Sequence, residues 1–181
     1  MSTWNIDPTH STVGFSVKHL MISTVRGRFS DYSATLNLDE AAPANSSLEV
    51  TINAASVDTR TEQRDNHLRS ADFFDVANHP SLTFKSTKVD GKLDGDFTVT
   101  GDLTIRGTTR PITLKASFEG AGQDPWGNER KAFSASGKIN REEFGLTWNQ
   151  ALEAGGLLVS TDVKFELEVQ FVRAAQARQA A

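Results

Sequence analysis

The chain has no cysteine among its 181 residues. Disulfide bonds and thiol chemistry are therefore excluded, although both reducing and oxidising compartments tolerate such a chain. No apolar run approaches the roughly 20 residues that a membrane-spanning helix requires. A formal net charge of −4, with no basic stripe carrying interleaved aromatic residues, argues against nucleic acid as a partner.

No linker rich in proline, glycine or serine divides the chain, and its length is near the usual size of one domain. We therefore predict a single domain over residues 1–173, followed by a disordered tail, residues 174–181, rich in alanine and glutamine. The first ten residues show neither the basic segment nor the apolar stretch of a secretory signal.

Alternation of apolar and polar residues is the main structural signal. Five apolar residues between Val163 and Phe171 alternate with lysine, glutamate and glutamine, which predicts a strand with one face in water. Turn signals such as Asp90-Gly91 separate similar segments. Together they predict eight or nine antiparallel strands, and closing the sheet into a barrel removes its exposed edges. The segments lie at residues 4–6, 13–17, 34–38, 48–54, 82–84, 97–105, 112–118, 133–139 and 163–171.

One segment reads as a helix, around residues 60–71. Thr59 and Glu62 have capping-box spacing, and the turns that follow are almost wholly polar. Phe73 and Phe74 come directly afterwards. A short polar helix that ends in two phenylalanines is not a core helix, so we expect a lid that covers the barrel.

The apolar face of the strands combines large and small residues. The small ones are Ala54, Gly101, Ala116, Ala135 and Gly137. They either fit the taper of an interior filled by side chains or leave a lumen, because a barrel of eight strands lies between these two cases. The predicted lid favours a lumen, since a filled barrel needs no cover.

Three polar residues are candidates for contacts at the mouth of that lumen. His19 shares the parity of Phe15 and Val17, so it points inward, where it either meets a ligand or satisfies a buried carbonyl. Arg64 and His67 lie one helical turn apart. They either form a site for an anionic head group or belong to a solvated helix face.

A hydrolase is the main enzymatic alternative, with His10 and Ser11 as base and nucleophile. Adjacent side chains on a strand point to opposite faces, and the sequence has no G-x-S-x-G elbow. The four histidines lack the close pairing of common zinc motifs, and there is no cysteine ligand. We therefore expect no catalysis, no metal and no cofactor.

Several fragments together resemble one known family. They are Trp4–Asp7 with His10-Ser11 and residues 15–19; residues 56–59, 64–65, 67–70 and 72–75; Leu103 to Thr108; and Asn140-Arg141, Phe144-Gly145 and Trp148-Asn149. In this order they are similar to the YceI-like proteins, also described as polyisoprenoid-binding proteins. The resemblance extends from Trp4 to about Val172.

The resemblance implies a lipocalin-like antiparallel barrel with an elongated apolar tunnel that accommodates an isoprenoid or a similar long-chain amphiphile. It also implies homodimers in some members. Many relatives carry a signal peptide and act in the periplasm, so the lack of a visible signal here leads us to expect a cytoplasmic branch.

The resulting hypothesis is an all-β protein, an eight-stranded antiparallel lipocalin-like barrel that a short helix covers. It binds a long-chain isoprenoid or fatty amphiphile for transport, storage or sequestration. The alternatives are a filled barrel that acts as a protein-interaction module and, less favoured, the hydrolase. The residues expected to contact the ligand are Phe15, Val17, His19, Leu36, Arg64, His67, Phe73, Phe74, Phe84, Leu103, Ile105, Leu114, Phe133, Trp148, Phe165 and Leu167.

Overall fold

Eleven β-strands and one α-helix organise residues 1–175, the part of the chain that the computed structural model describes. The strands are β1 Ser2–Ile6, β2 Thr12–His19, β3 Ser23–Phe29, β4 Tyr32–Leu38, β5 Ser47–Asn53, β6 Val57–Asp58, β7 Ser81–Gly91, β8 Asp96–Ile105, β9 Thr108–Gln123, β10 Glu129–Asn140 and β11 Val159–Arg173. The helix α1 spans Glu62–Arg69, and short 3₁₀ turns lie at Pro8–His10, Pro43–Asn45, Ala54–Ser56 and Arg141–Phe144.

These strands close into an eight-stranded antiparallel barrel, which confirms the predicted fold. The ring runs β1-β4-β5-β7-β8-β9-β10-β11, and β11 pairs back to β1. Strands β2, β3 and β6 continue β1, β4 and β5 along the same wall, because β2 also pairs with β11 and β3 pairs with both β2 and β6. Eight positions in the wall therefore hold eleven strand segments.

The sequence pattern did not predict strand β3. Its inward positions include Gly27, where a Cβ atom would lie 2.3 Å from Cζ of Phe15. The Phe15 ring therefore covers the glycine on the neighbouring strand, an arrangement known to support glycines in sheets. A missing inward side chain weakens the alternation from which strands are recognised.

The helix lies within the predicted range, but the predicted capping box is wrong. The N-cap is Thr61, whose side chain makes no capping bond. The Thr59 hydroxyl instead donates to the buried Asp65 carboxylate at 2.6 Å, and the Thr59 N–H donates to the same oxygen at 2.8 Å. The carboxylate of Asp65 thus ties the residue that follows β6 to the first turn of α1.

The two ends of the barrel are closed differently. At the helix end lie α1 and the loop between β10 and β11. At the far end, Trp4 is 1% exposed, and the Lys131 ammonium lies 5.5 Å from the centre of its ring. The backbone N–H of Ala174 donates to Thr3 at 2.8 Å. Most of the tail predicted over 174–181 lies outside the described residues. Among residues 1–175, no helix combines the length and apolar character needed to cross a membrane.

A cluster of charged groups fastens β1 to the β9–β10 hairpin at the far end. The Arg130 guanidinium contacts the carboxylates of Asp7 at 2.6 Å and Asp124 at 2.9 Å. Hydrogen bonds, of which the one from the Thr9 hydroxyl matters most, hold the pKa of Asp7 well below its usual range. The pKa of Asp124 falls to about 2, chiefly because of the Asn128 side chain.

Acid is expected to weaken this end of the barrel. Because both pKa values are lowered in the folded state, their stabilisation is fully present above the unfolded value of about 4. It is lost as the pH falls through the folded value, about 2 for Asp124. The free energy of unfolding, measured by urea titration across this range, should fall less steeply in Asp7→Asn/Asp124→Asn than in wild type. Glu153→Gln, which changes an exposed carboxylate in the β10–β11 loop, should keep the wild-type slope. Equal slopes in wild type and double variant would contradict the assignment.

Candidate functional site

The barrel interior contains two apolar cavities. The far-end chamber has a volume of about 180 Å³, and none of the charged residues within 1–175 lines it. The helix-end chamber has a volume of about 230 Å³ and lies beneath α1. Both chambers share a waist formed by Phe15, Phe29, Leu82, Ile105 and Phe165. Together they reach the lower part of the range of roughly 300–1,000 Å³ that is typical of ligand pockets.

All sixteen residues predicted from the sequence line one of these chambers. The far-end chamber holds Leu36, Phe84, Leu103, Leu114, Phe133 and Leu167. The helix-end chamber holds Val17, His19, Arg64, His67, Phe73, Phe74 and Trp148. The remaining three, Phe15, Ile105 and Phe165, lie at the waist. Their role as ligand contacts stays a prediction, but the structure places them around one interior space.

The lumen interpretation assumed that the small inward residues leave empty space, but two of them do not. A Cβ atom on Gly101 would lie 2.5 Å from the Phe84 ring, and one on Gly137 would lie 2.7 Å from Leu114. Larger side chains of neighbouring strands therefore occupy both positions. By contrast, Ala116 and Ala135, which face each other on β9 and β10, line the far-end chamber.

The cover of the helix-end chamber consists of α1 and the segment that follows it. Phe73 is buried and packs on Trp148, with ring centres 5.4 Å apart. The ring of Phe74 meets Phe29 edge-on at 5.7 Å. The Arg106 guanidinium donates to the carbonyl of Phe73 at 3.0 Å, so a hydrogen bond from the β8–β9 turn holds this cover in place.

Arg64 and His67 both reach the chamber wall, but each already has protein partners. Arg64 donates to the Thr59 hydroxyl at 2.7 Å and to the Thr59 carbonyl at 2.8 Å. His67 Nε2 lies 2.8 Å from the carboxylate of Asp72, and its ring meets Trp148 edge-on at 4.7 Å. The pair predicted for an anionic head group therefore also serves to hold the helix in place.

Arg141 is the main residue of this chamber that the sequence reasoning missed. The Glu142-Glu143 pair beside it suggests a solvated loop, yet Arg141 is 4% exposed. Its guanidinium donates to the carbonyls of Ser160 at 2.9 Å, Leu146 at 2.6 Å and Trp148 at 2.9 Å. Burial lowers its pKa below the usual value. The only sequence signal was the Asn140-Arg141 motif within the family resemblance.

The two residues of the less favoured hydrolase alternative bond to different groups in the structure. His10 Nδ1 lies 2.8 Å from the carboxylate of Asp7, and the imidazole faces solvent. The Ser11 hydroxyl accepts a hydrogen bond from the backbone N–H of Gln170 at 2.9 Å, which fixes it to β11. This geometry gives Ser11 a structural role in joining the strands.

Comparison with known proteins agrees with this architecture. The family model of the YceI-like domain matches residues 4–171. Protein YceI of Escherichia coli is 48% identical over 138 residues, which cover 76% of this chain and 71% of that protein.

Two solved structures extend the comparison. The crystal structure of the Campylobacter jejuni YceI protein is 37% identical, with a TM-score of 0.74 over 88% of this chain and 90% of that one. A polyisoprenoid binding domain from Saccharophagus degradans, implicated in plant cell wall breakdown, has a TM-score of 0.73 over 96% of this chain and 100% of that one. At 17% identity, this second likeness concerns the fold alone. The chain belongs to the YceI-like domain family, as its sequence motifs predicted.

Proposed function

We propose that the protein binds a long-chain isoprenoid or a similar amphiphile inside the barrel, for transport, storage or sequestration. The observation that carries this proposal is the division of the interior by polarity. Among the described residues, the polar lining of the far-end chamber consists of serines, whereas that of the helix-end chamber consists of one threonine, two arginines and two histidines. An amphiphile would therefore place its apolar chain toward the far end and its polar group beneath the helix.

The energetics suit such a ligand. Each buried methylene contributes roughly 0.8 kcal/mol, so an isoprene unit contributes roughly 3 to 4 kcal/mol. Several such units would nominally exceed the binding free energy of about 18 to 21 kcal/mol that complexes rarely surpass. The entropy lost when the ligand chain is ordered must therefore offset part of the gain. Tight binding with slow release is the expected result. The S. degradans domain, described as polyisoprenoid binding, shares the fold and supports the proposal by analogy.

Native mass spectrometry of protein purified without added lipid tests this function. We expect a retained long-chain amphiphile, identified after extraction. An empty chain that also binds no fluorescent lipid probe would favour the interaction module instead. The presence of both chambers already weakens the assumption of a filled barrel on which that alternative depends. Turnover of ester substrates that Ser11→Ala abolishes would favour the hydrolase.

Ligand exchange is expected to speed up several-fold when Phe74 is replaced by alanine. The half-buried ring of Phe74 packs on Phe29, so removing it leaves less apolar contact to break when the cover opens. Stopped-flow transfer of a fluorescent fatty probe to acceptor vesicles measures this rate. Trp126→Ala removes an exposed ring that lines neither chamber, and it should leave the rate unchanged. An equal rate in Phe74→Ala and wild type would show that the Phe74 contact does not hold the cover closed.

A further inference from the structure

The turn between β2 and β3 presents three consecutive large apolar residues to solvent. Leu20 is 38% exposed, Met21 67% and Ile22 82%. Leu157, on the neighbouring loop before β11, adds a fourth apolar side chain that is 41% exposed. We call these four residues the apolar tip. Scattered single apolar residues on a surface are ordinary, but a contiguous group usually marks an interaction site.

The backbone of the tip is unfavourable for the residues it contains. Leu20 and Met21 both have positive φ angles, 54° and 60°, and the Ile22 N–H donates to the His19 carbonyl at 3.2 Å. Two central residues with positive φ define a tight hairpin turn for which Asn-Gly is the usual sequence. Leucine and methionine rarely adopt this conformation. The side chains at these positions therefore suit a role other than stabilising the turn.

The hairpin behind the tip is basic, although the chain as a whole is acidic. Residues 12–29 contain Lys18, Arg26 and Arg28 and no carboxylate, whereas the whole chain has a net charge of −4. Lys18 lies nearest the tip, and its ammonium donates to the Thr24 hydroxyl at 3.0 Å. Among the described residues, no carboxylate pairs with it. Arg26 and Arg28 each contact a carboxylate of another strand, so Lys18 is the cation of this hairpin that is left for an anionic surface. Exposed apolar side chains with a cation beside them are typical of surfaces that bind anionic membranes.

The tip is also continuous with the wall of the helix-end chamber. The Leu20 N–H donates to the Leu158 carbonyl at 2.8 Å, and both His19 and Leu158 line that chamber. We propose that the apolar tip docks on the anionic surface of a lipid bilayer, with its side chains in the interfacial region. This inference rests on the proposed function, because a cargo with a long apolar chain must be exchanged with a lipid phase.

Vesicle flotation with the full chain tests the docking surface. The vesicles contain phosphatidylcholine and phosphatidylserine in equal parts, and the variant is Leu20→Asn/Met21→Gly. We expect its vesicle binding to fall by about tenfold or more, since the exposed apolar side chains are lost. Its resistance to urea should be unchanged or higher, since Asn-Gly suits the turn. Ile22→Glu, which leaves both strained positions intact, should weaken binding likewise.

Trp126→Ala is the matched control. Trp126 is 82% exposed at the β9–β10 turn, at the far end of the barrel, so its loss should leave vesicle binding unchanged. Wild-type binding by the Leu20→Asn/Met21→Gly variant would overturn the proposal. A second result would also overturn it: wild type that forms a dimer and binds no vesicles, together with a Leu20→Asn/Met21→Gly variant that is monomeric. The tip would then pair with a second copy of the chain.

A parallel measurement separates this inference from the proposed function. Displacement of a fluorescent fatty probe by farnesol reports on the barrel interior without vesicles. If wild type binds farnesol but no vesicles, the docking surface is wrong and the proposed function stands. If it binds vesicles but neither farnesol nor any co-purified amphiphile, the docking surface stands and the proposed function is wrong.

Discussion

Replacing Ala116 by phenylalanine is expected to weaken the binding of a long-chain isoprenoid by roughly two orders of magnitude. Ala116 is buried on β9 and lines the far-end chamber opposite Ala135. An added ring would take up much of a chamber of about 180 Å³. If it excludes about four methylenes at roughly 0.8 kcal/mol each, the loss is about 3 kcal/mol.

Chain length makes the result specific. A short amphiphile that occupies only the helix-end chamber should bind Ala116→Phe and wild type with similar affinity, whereas a long one should discriminate between them. Titration calorimetry with farnesol and with a longer polyprenol measures both. Lys115→Phe places the same ring on the outer, exposed face of β9 and serves as the control. Equal loss for short and long ligands would mean that the far-end chamber does not receive the apolar chain.

Replacing Arg141 by alanine is expected to lower the free energy of unfolding by about 3 kcal/mol or more. The buried guanidinium is the donor for the carbonyls of Ser160, Leu146 and Trp148, and these acceptors would lose their charged partner. The loop between β10 and β11, which roofs the helix-end chamber, depends on these bonds. Guanidinium chloride unfolding followed by tryptophan fluorescence measures the change.

Two further variants serve as the control and as the conservative replacement for this measurement. Arg110→Ala removes an exposed arginine on β9 and should leave the unfolding midpoint nearly unchanged. Arg141→Lys keeps the charge but not the planar set of five donors, so we expect an intermediate loss. It also provides a readable result if Arg141→Ala does not fold. An Arg141→Ala protein as stable as wild type would show that the loop is held by other contacts.

The barrel and its lining were predictable because strands have a strict period of two. In β11, residues 163 to 171 alternate without interruption, and the same parity led to Phe15, Phe84 and Phe133 on the inner wall. A strand with apolar residues on one face can bury only that face, so its sequence indicates which residues line the interior. The family motifs added the identity of the fold.

The sequence pattern missed two features: a strand position occupied by glycine, and an arginine whose partners are backbone carbonyls. Gly27 interrupts the apolar alternation of β3, because the Phe15 ring of the neighbouring strand provides the inward contact at that position. Arg141 is buried by carbonyls that come from residues five to nineteen positions away. A linear pattern of side chains does not record backbone acceptors, so neither feature shows in it.

The helix shows why a polar sequence need not mean a solvated surface. Asp65 is buried because it accepts bonds from both the N–H and the hydroxyl of Thr59. Arg69 donates to the carbonyls of Ala55 and Val57 at 2.8 and 3.1 Å. The polar residues of α1 thus attach the cover to the barrel through hydrogen bonds, a type of contact that hydropathy alone cannot reveal.

Strand β11 has a further consequence for biosynthesis. It is the last strand of residues 1–175, and it joins β10 on one side to β1 and β2 on the other. Until residues 159–173 have left the ribosome, a nascent chain exposes two unpaired sheet edges, which are prone to aggregate. The enclosed interior therefore arises only once β11 has been made and paired, and a protein truncated before residue 159 would keep both edges exposed to chaperones and to other chains.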